Sequence, residues 1–180
     1  ADLSGADLSK TDLSNADLRG ADLRSAKVLG ARLVRADLSG ASMSAADLSG
    51  AKALGADLSG ADLSNPTLPG TDLSNMNLSG AVLSGADLSG AVLSGANLTG
   101  AYLVLASLAS ADVSAVNLSG ADLTGADLRY ANLTDADLTR ANLRQTDLRR
   151  ADLTRADLSG ADLTHAKRRG ANLDGTTGHP

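Results

Sequence analysis

The sequence holds no cysteine, no phenylalanine, no tryptophan and no glutamate, and its only aromatic residues are Tyr102 and Tyr130. Without Cys there can be no disulfide and no thiolate metal site, and cysteine usage says nothing about redox compartment. Without Phe or Trp, a core of ordinary globular shape has no large side chains to fill its irregular spaces. His165 and His179 are the only histidines. The many Ser residues therefore lack the His-Asp partners that activate a nucleophile, and no compact set of metal ligands is visible. No catalytic residue, cofactor site or metal site is therefore expected. No apolar run approaches the ~20 residues of a membrane helix, and no signal-peptide pattern is present. These features set the expectation of a cytoplasmic, non-membrane protein. The net charge of -5 argues against general binding to nucleic acid.

What remains is mostly Ala, Leu, Asp, Gly and Ser, arranged with a period of five from Ala1 to Gly175. Each pentad reads Ala, Asp or Asn, Leu, then Ser, Thr or Arg, then Gly. We name these the leading, second, central, fourth and fifth positions. The central residue is Leu except at Val28, Met43, Ala53, Val113 and Arg168. The leading residue is Ala except at Thr11, Pro66, Thr71, Met76, Val116 and Thr146. An α-helix turns about 500° in five residues, so it would scatter successive central residues around its axis. A plain strand fails because five is odd, and Leu would alternate between faces. Sending Leu and Ala inward in every pentad requires a bend in every pentad. Gly in the fifth position sits third in a four-residue turn, where a type II turn needs positive φ. Asn15, Asn65 and Asn75 suit the same place.

The runs ADLSGADLS, ADLRGADLR, ADLTGADLR and ANLTDADLTRANLR resemble the pentapeptide-repeat proteins, over residues 1–175. The resemblance implies an all-β fold, a right-handed quadrilateral β-helix with four pentads per coil and about nine coils. At ~4.8 Å per coil this is a rod roughly 40 Å long. The expected organisation is one solenoid domain over 1–175 and a polar tail over 176–180.

A 20-residue coil stacks residues 20 apart into columns. Asp17, Asp37 and Asp57 then lie in one column with Asn77, Asn97, Asn117, Asp137 and Asp157. Stacked carboxylates at this spacing repel by about 1 kcal/mol per pair in water, which central Asn residues relieve through an amide ladder. No Lys or Arg occurs between Lys52 and Arg129, a stretch that holds seven Asp. Arg129, Arg149 and Arg169 form a cationic column that either grips an anionic partner or pairs with nearby Asp127 and Asp147. Val82, Tyr102 and Val104 share one face, with Leu105 at the adjoining corner. Val34 stacks on Leu54, flanked by Arg32 and Lys52. Both apolar clusters are candidate contact surfaces for a protein partner or for self-association.

The first functional expectation is a non-enzymatic, rigid scaffold or protein-interaction module. The alternative is implied by the resemblance: some pentapeptide-repeat proteins mimic DNA and modulate a type II topoisomerase. Those are dimers joined by a C-terminal segment of large apolar residues. The sequence HAKRRGANLDGTTGHP holds no such segment. The two Pro residues of PTLPG, Pro66 and Pro69, are each expected to remove a ladder donor. Arg168, at a central position, is expected to mark the end of the rod, with regular coils stopping near His165.

Overall fold

A computed structural model describes residues 1–66 and 68–178. Among these residues there is no helix. Single-residue parallel bridges join second-position residues 20 apart, from Asp2 with Asp22 to Asp157 with Thr177. Four such bridges per turn of chain define a four-sided β-solenoid. Leading and central residues are inside and the other three positions point out.

An accounting of backbone N–H groups explains why the unit is five residues long. The central amide donates to the next coil, as in Leu3 N to the Asp22 carbonyl at 2.7 Å. The fifth-position amide does the same, as in Gly5 N to the Arg24 carbonyl at 2.8 Å. The second-position amide donates to the preceding coil, as in Asp22 N to the Ala1 carbonyl at 2.8 Å. The leading amide closes the corner, as in Ala6 N to the Leu3 carbonyl at 3.0 Å. The fourth-position amide has no backbone acceptor. The second-position side chain accepts it: Ser4 N donates to Asp2 Oδ1 at 3.0 Å, and Ser64 N to Asp62 Oδ1 at 3.0 Å. Asp or Asn two residues before the donor is an Asx turn. Where the second position is Asp or Asn, all five donors are thereby satisfied.

Every fifth residue from Gly5 to Gly175 has positive φ, with no positive φ at the fourth positions, as type II corners require. The register imposes this conformation even on Leu105 at φ 58°, Tyr130 at 61° and Arg150 at 62°. Those corners keep their left-handed geometry because the flanking amides are held by the ladder on one side and the turn bond on the other.

The core is a stack of Ala and Leu, each 3% exposed or less from Ala21 to Leu158. Full burial of a Leu side chain is worth about 1.5–3 kcal/mol. Thr71 and Thr146 are the buried polar residues of this core. Thr146 Oγ1 donates to the Leu143 carbonyl at 2.7 Å, whereas Thr71 Oγ1 has no partner.

Two sequence expectations are corrected here. The coils do not stop near His165: Lys167, Asn172 and Thr177 pair with Asp147, Asp152 and Asp157. Arg168 causes no break: its side chain is exposed, and the bridges on either side of it hold the register. The prolines also cost less than expected. Pro69 occupies a fourth position, whose N–H has no place in the ladder. Pro66 removes a corner bond to the Leu63 carbonyl rather than a ladder bond. The ladder runs on around both, with Leu68 N donating to the Asp87 carbonyl at 2.9 Å and Asp87 N to the Pro66 carbonyl at 3.2 Å.

Candidate interaction surfaces

The acidic column stacks as expected, with bridges joining Asp17, Asp37, Asp57, Asn77, Asn97, Asn117, Asp137 and Asp157 in order. The amide ladder is present in two rungs: Asn77 Nδ2 donates to Asp57 Oδ1 at 3.1 Å, and Asn97 Nδ2 to Asn77 Oδ1 at 3.2 Å. These second-position groups also cap their own corners. Asp57 Oδ1 accepts Ser59 N at 2.9 Å and Asp137 Oδ1 accepts Thr139 N at 2.9 Å. Burial pushes the Asp57 carboxyl up, and hydrogen bonds from Ser59 and Asn77 outweigh it, so its pKa is lowered overall. At the column's start the Arg19 guanidinium forks onto Asp17 and holds its pKa down at about 2. Sequence reasoning treated the Asp residues as a solvated default and missed this capping role. The D-x-S and D-x-T spacing was the signal available.

The residues of the apolar cluster lie close together. Val82 and Tyr102 are bridged neighbours, and Gly85 N donates to the Val104 carbonyl at 2.9 Å. Tyr102 is 52% and Leu105 71% exposed. The Leu105 side chain leans over the next coil, where Cδ2 lies 2.9 Å from the place a Cβ on Gly125 would take. Asp62 and Asp122 close the column at either end of the Val82–Tyr102 pair. Val82 and Tyr102 cannot cap a corner, and the amides of Ser84 and Val104 have no acceptor among the described residues. Val92 also points outward, on a different face, so outward apolar residues are not confined to the two clusters expected.

Val34 and Leu54 are stacked, with Arg35 N donating to the Leu54 carbonyl at 3.1 Å and Arg32 bridged to Lys52. They line a shallow groove of about 470 Å³ with Lys52 and Asp72. Leu54 is 57% exposed.

The arginine column divides. Arg129 forks onto Asp127, with Nε to Oδ1 at 2.8 Å and Nη2 to Oδ2 at 2.6 Å. Arg149 repeats this on Asp147 at 2.8 and 2.6 Å. In both carboxylates the arginine hydrogen bonds hold the pKa below its usual value. Arg169 has Lys167 where its neighbours have Asp. Arg150 lies over the Tyr130 ring at 5.5 Å from its centroid. These residues and Gly170 border a groove of about 490 Å³.

His165 is exposed at a corner, and His179 lies outside the described residues. Among the described residues no group of three or more acids or histidines could hold a metal ion. Among them, too, no helix is long and apolar enough to cross a membrane.

The profile of the family "Pentapeptide repeats" matches in eight copies, over residues 1–40, 41–80, 68–103, 77–113, 106–145 and 141–177. The chain belongs to the pentapeptide-repeat family. Among solved structures it is similar to HetL, a pentapeptide repeat protein involved in heterocyst differentiation regulation, from Nostoc sp. strain PCC 7120. The identity there is 31%, over 97% of this chain and 86% of that one, with a TM-score of 0.35. A pentapeptide repeat protein of the cyanobacterium Cyanothece 51142 is 38% identical, with a TM-score of 0.49. That match covers half of this chain (50%) and 62% of the other, so it spans less than two thirds of that protein's length. Full-length QnrB1, a plasmid-mediated fluoroquinolone resistance protein, is 19% identical over 92% of this chain and 90% of its own, with a TM-score of 0.40. No curated protein sequence matches the chain.

Proposed function

We propose that this pentapeptide-repeat rod is a non-enzymatic interaction module that binds a basic, amphipathic protein segment through Val82, Tyr102, Val104 and Leu105. The observation that carries the reading is an exposed apolar cluster inside a stretch with no Lys or Arg between Lys52 and Arg129. Asp62 and Asp122 border the cluster along its own column. A partner of matching shape gains apolar burial at the centre and charge pairing at the rim. The solenoid contributes stiffness: inter-coil bonds such as Leu83 N to the Tyr102 carbonyl and Leu103 N to the Asp122 carbonyl fix the backbone under the contact residues before binding, so little ordering entropy is lost.

The test compares the unaltered chain with Tyr102→Ser/Val104→Ser and with Leu54→Ser as a control outside the cluster. Immobilised protein is used to capture a partner from cells, and the partner's binding is then measured with purified components. The proposal expects capture to be lost in the double variant, retained in Leu54→Ser and weakened by added salt. Equal capture by all three proteins would refute it. Sedimentation of each variant separates a foreign partner from a second copy of the chain. A supercoiling assay with a type II topoisomerase tests the DNA-mimic alternative directly, since an effect that survives the double variant would move the function away from this cluster.

A further inference from the structure

The column of Asp127, Asp147 and Lys167 carries a repeated device. In the Asp147 pentad, three donors of one arginine converge on one carboxylate. Arg149 N reaches Asp147 Oδ1 at 3.2 Å, Nε reaches Oδ1 at 2.8 Å and Nη2 reaches Oδ2 at 2.6 Å. The Asp127 pentad repeats it, with Arg129 N to Asp127 Oδ1 at 3.0 Å together with the fork already described. One coil further on, the pentad reads Ala166, Lys167, Arg168, Arg169, Gly170. The backbone continues the register: Lys167 is bridged to Asp147, and Arg150 N donates to the Arg169 carbonyl at 3.2 Å. Arg169 therefore stands where Arg149 and Arg129 stand, but the carboxylate that should receive its amide, Nε and Nη2 is replaced by an ammonium.

Three donors with no acceptor among the described residues and two adjacent cations favour an anion from outside. We infer that Arg169, with Lys167 and the neighbouring Arg149 and Arg150, forms a binding site for a phosphate group. A carboxylate fills the equivalent place in the two pentads below with a single charge. Here Lys167 adds a second positive charge to that of Arg169, which matches the roughly -1.5 to -2 charge of a phosphate monoester at neutral pH. The planar fork of arginine suits two oxygens of one such group. Tyr130 supports the site from below by holding Arg150 over its ring, with Arg150 Nη1 3.2 Å from the Tyr130 hydroxyl. The same chemistry can arrive as free inorganic phosphate or as a phosphorylated side chain of another protein. The site lies on a different face from the Tyr102 cluster, and the inference stands or falls independently of it.

The experiment is an amide NMR titration at fixed ionic strength, following the Arg169 N–H. The probes are inorganic phosphate, a short phosphoserine peptide, its unphosphorylated form and acetate. Phosphate and phosphopeptide are expected to shift the Arg169 amide while acetate and the unmodified peptide do not. Arg169→Gln should weaken phosphate binding by about tenfold or more, since a charged fork is lost. Lys167→Asp should abolish it by supplying the missing carboxylate from the chain itself. Asp is the usual residue at this position, so the fold is expected to tolerate the change. Arg19→Gln, at the far end of the rod, should leave it unaltered. A phosphopeptide that binds about tenfold tighter than phosphate would identify a phosphorylated protein as the source, and equal binding would identify the free anion. An Arg169 amide indifferent to phosphate, an equal response to acetate, or full phosphate binding by Lys167→Asp would each overturn the inference.

Discussion

Replacing Leu98 by Asp tests the inside–outside assignment on which every surface described above depends. Leu98 is 0% exposed, and the central residues 20 before and after it, Leu78 and Leu118, are 1% exposed. Deleting a buried Leu side chain to Ala costs about 2–5 kcal/mol, because the cavity collapses only in part. The introduced carboxylate adds several kcal/mol more, since it is desolvated among Leu side chains with no partner. The sum is comparable to the ~5–15 kcal/mol that holds a typical domain together. In a solenoid each coil touches only its neighbours, so the loss should open the rod around this coil. Far-UV circular dichroism on heating should show an early transition, and limited proteolysis should cut near residue 98. Burial raises the pKa of the new carboxyl above its unfolded value of ~3.9. A raised folded pKa means the penalty is smallest below pH ~3.9 and grows as pH rises. The matched change Ser84→Asp falls at an outward fourth position and should shift stability by no more than about 0.5 kcal/mol. Equal destabilisation by the two substitutions, or a Leu98→Asp penalty that does not diminish in acid, would refute the reasoning.

Other tests address the corners, the buried hydroxyls and the carboxylates. Ala45 and Ala115 are exposed corner residues with φ of 56° and 51°. Replacing either by Gly should stabilise by about 0.5–1 kcal/mol in urea unfolding, because only Gly adopts this conformation without steric cost. Thr71→Val removes a buried hydroxyl that has no partner and should stabilise by about 1 kcal/mol. Thr146→Val breaks the bond to the Leu143 carbonyl and should destabilise by about the same amount, so like signs in thermal melts would count against the assignment. Asp17 and Asp22 are held at about 2 by the forks of Arg19 and Arg24. A depressed folded pKa stabilises above the unfolded value near 4 and loses that contribution as pH falls through 2. The first coils should therefore melt earlier between pH ~4 and ~2, and amide exchange there that is constant across this range would contradict the paired geometry.

The fold was legible because one number, the period of five, is incompatible with both helix and plain strand. The alternation of buried Ala and Leu then followed position by position. Thr71 and Thr146 were placed inside by register alone, against their polarity, and both are 0% exposed. Left-handed corners at Tyr130 and Arg150 were not legible from residue type, since neither favours positive φ; the ladder forces it. The extent of the rod was misread because Arg168 was judged by its own desolvation cost. The Arg168 side chain is exposed, so that cost is not incurred, and the pairing of Asn172 and Thr177 with the preceding coil carries the backbone on.

The candidate surfaces were legible as columns, but their physical meaning came from the fourth-position amide. Asp or Asn in the second position accepts that amide, so each departure from Asp or Asn leaves a donor uncapped as well as altering the surface. Val82, Tyr102 and Lys167 are all such departures, at Ser84, Val104 and Arg169 respectively. Forgoing a charge-assisted hydrogen bond costs about 1.5–3 kcal/mol when the donor is buried and much less when water reaches it. At a solvated corner the departure is therefore inexpensive to the fold, and it leaves an oriented N–H beside whatever group replaced the carboxylate. An apolar replacement gives the kind of surface with polar anchor points that we propose as a contact around Tyr102. A cationic replacement beside an arginine gives the anion site inferred at Lys167 and Arg169. In a rod whose coils are otherwise interchangeable, the corners that lack their own acceptor are where an outside molecule has the most to gain.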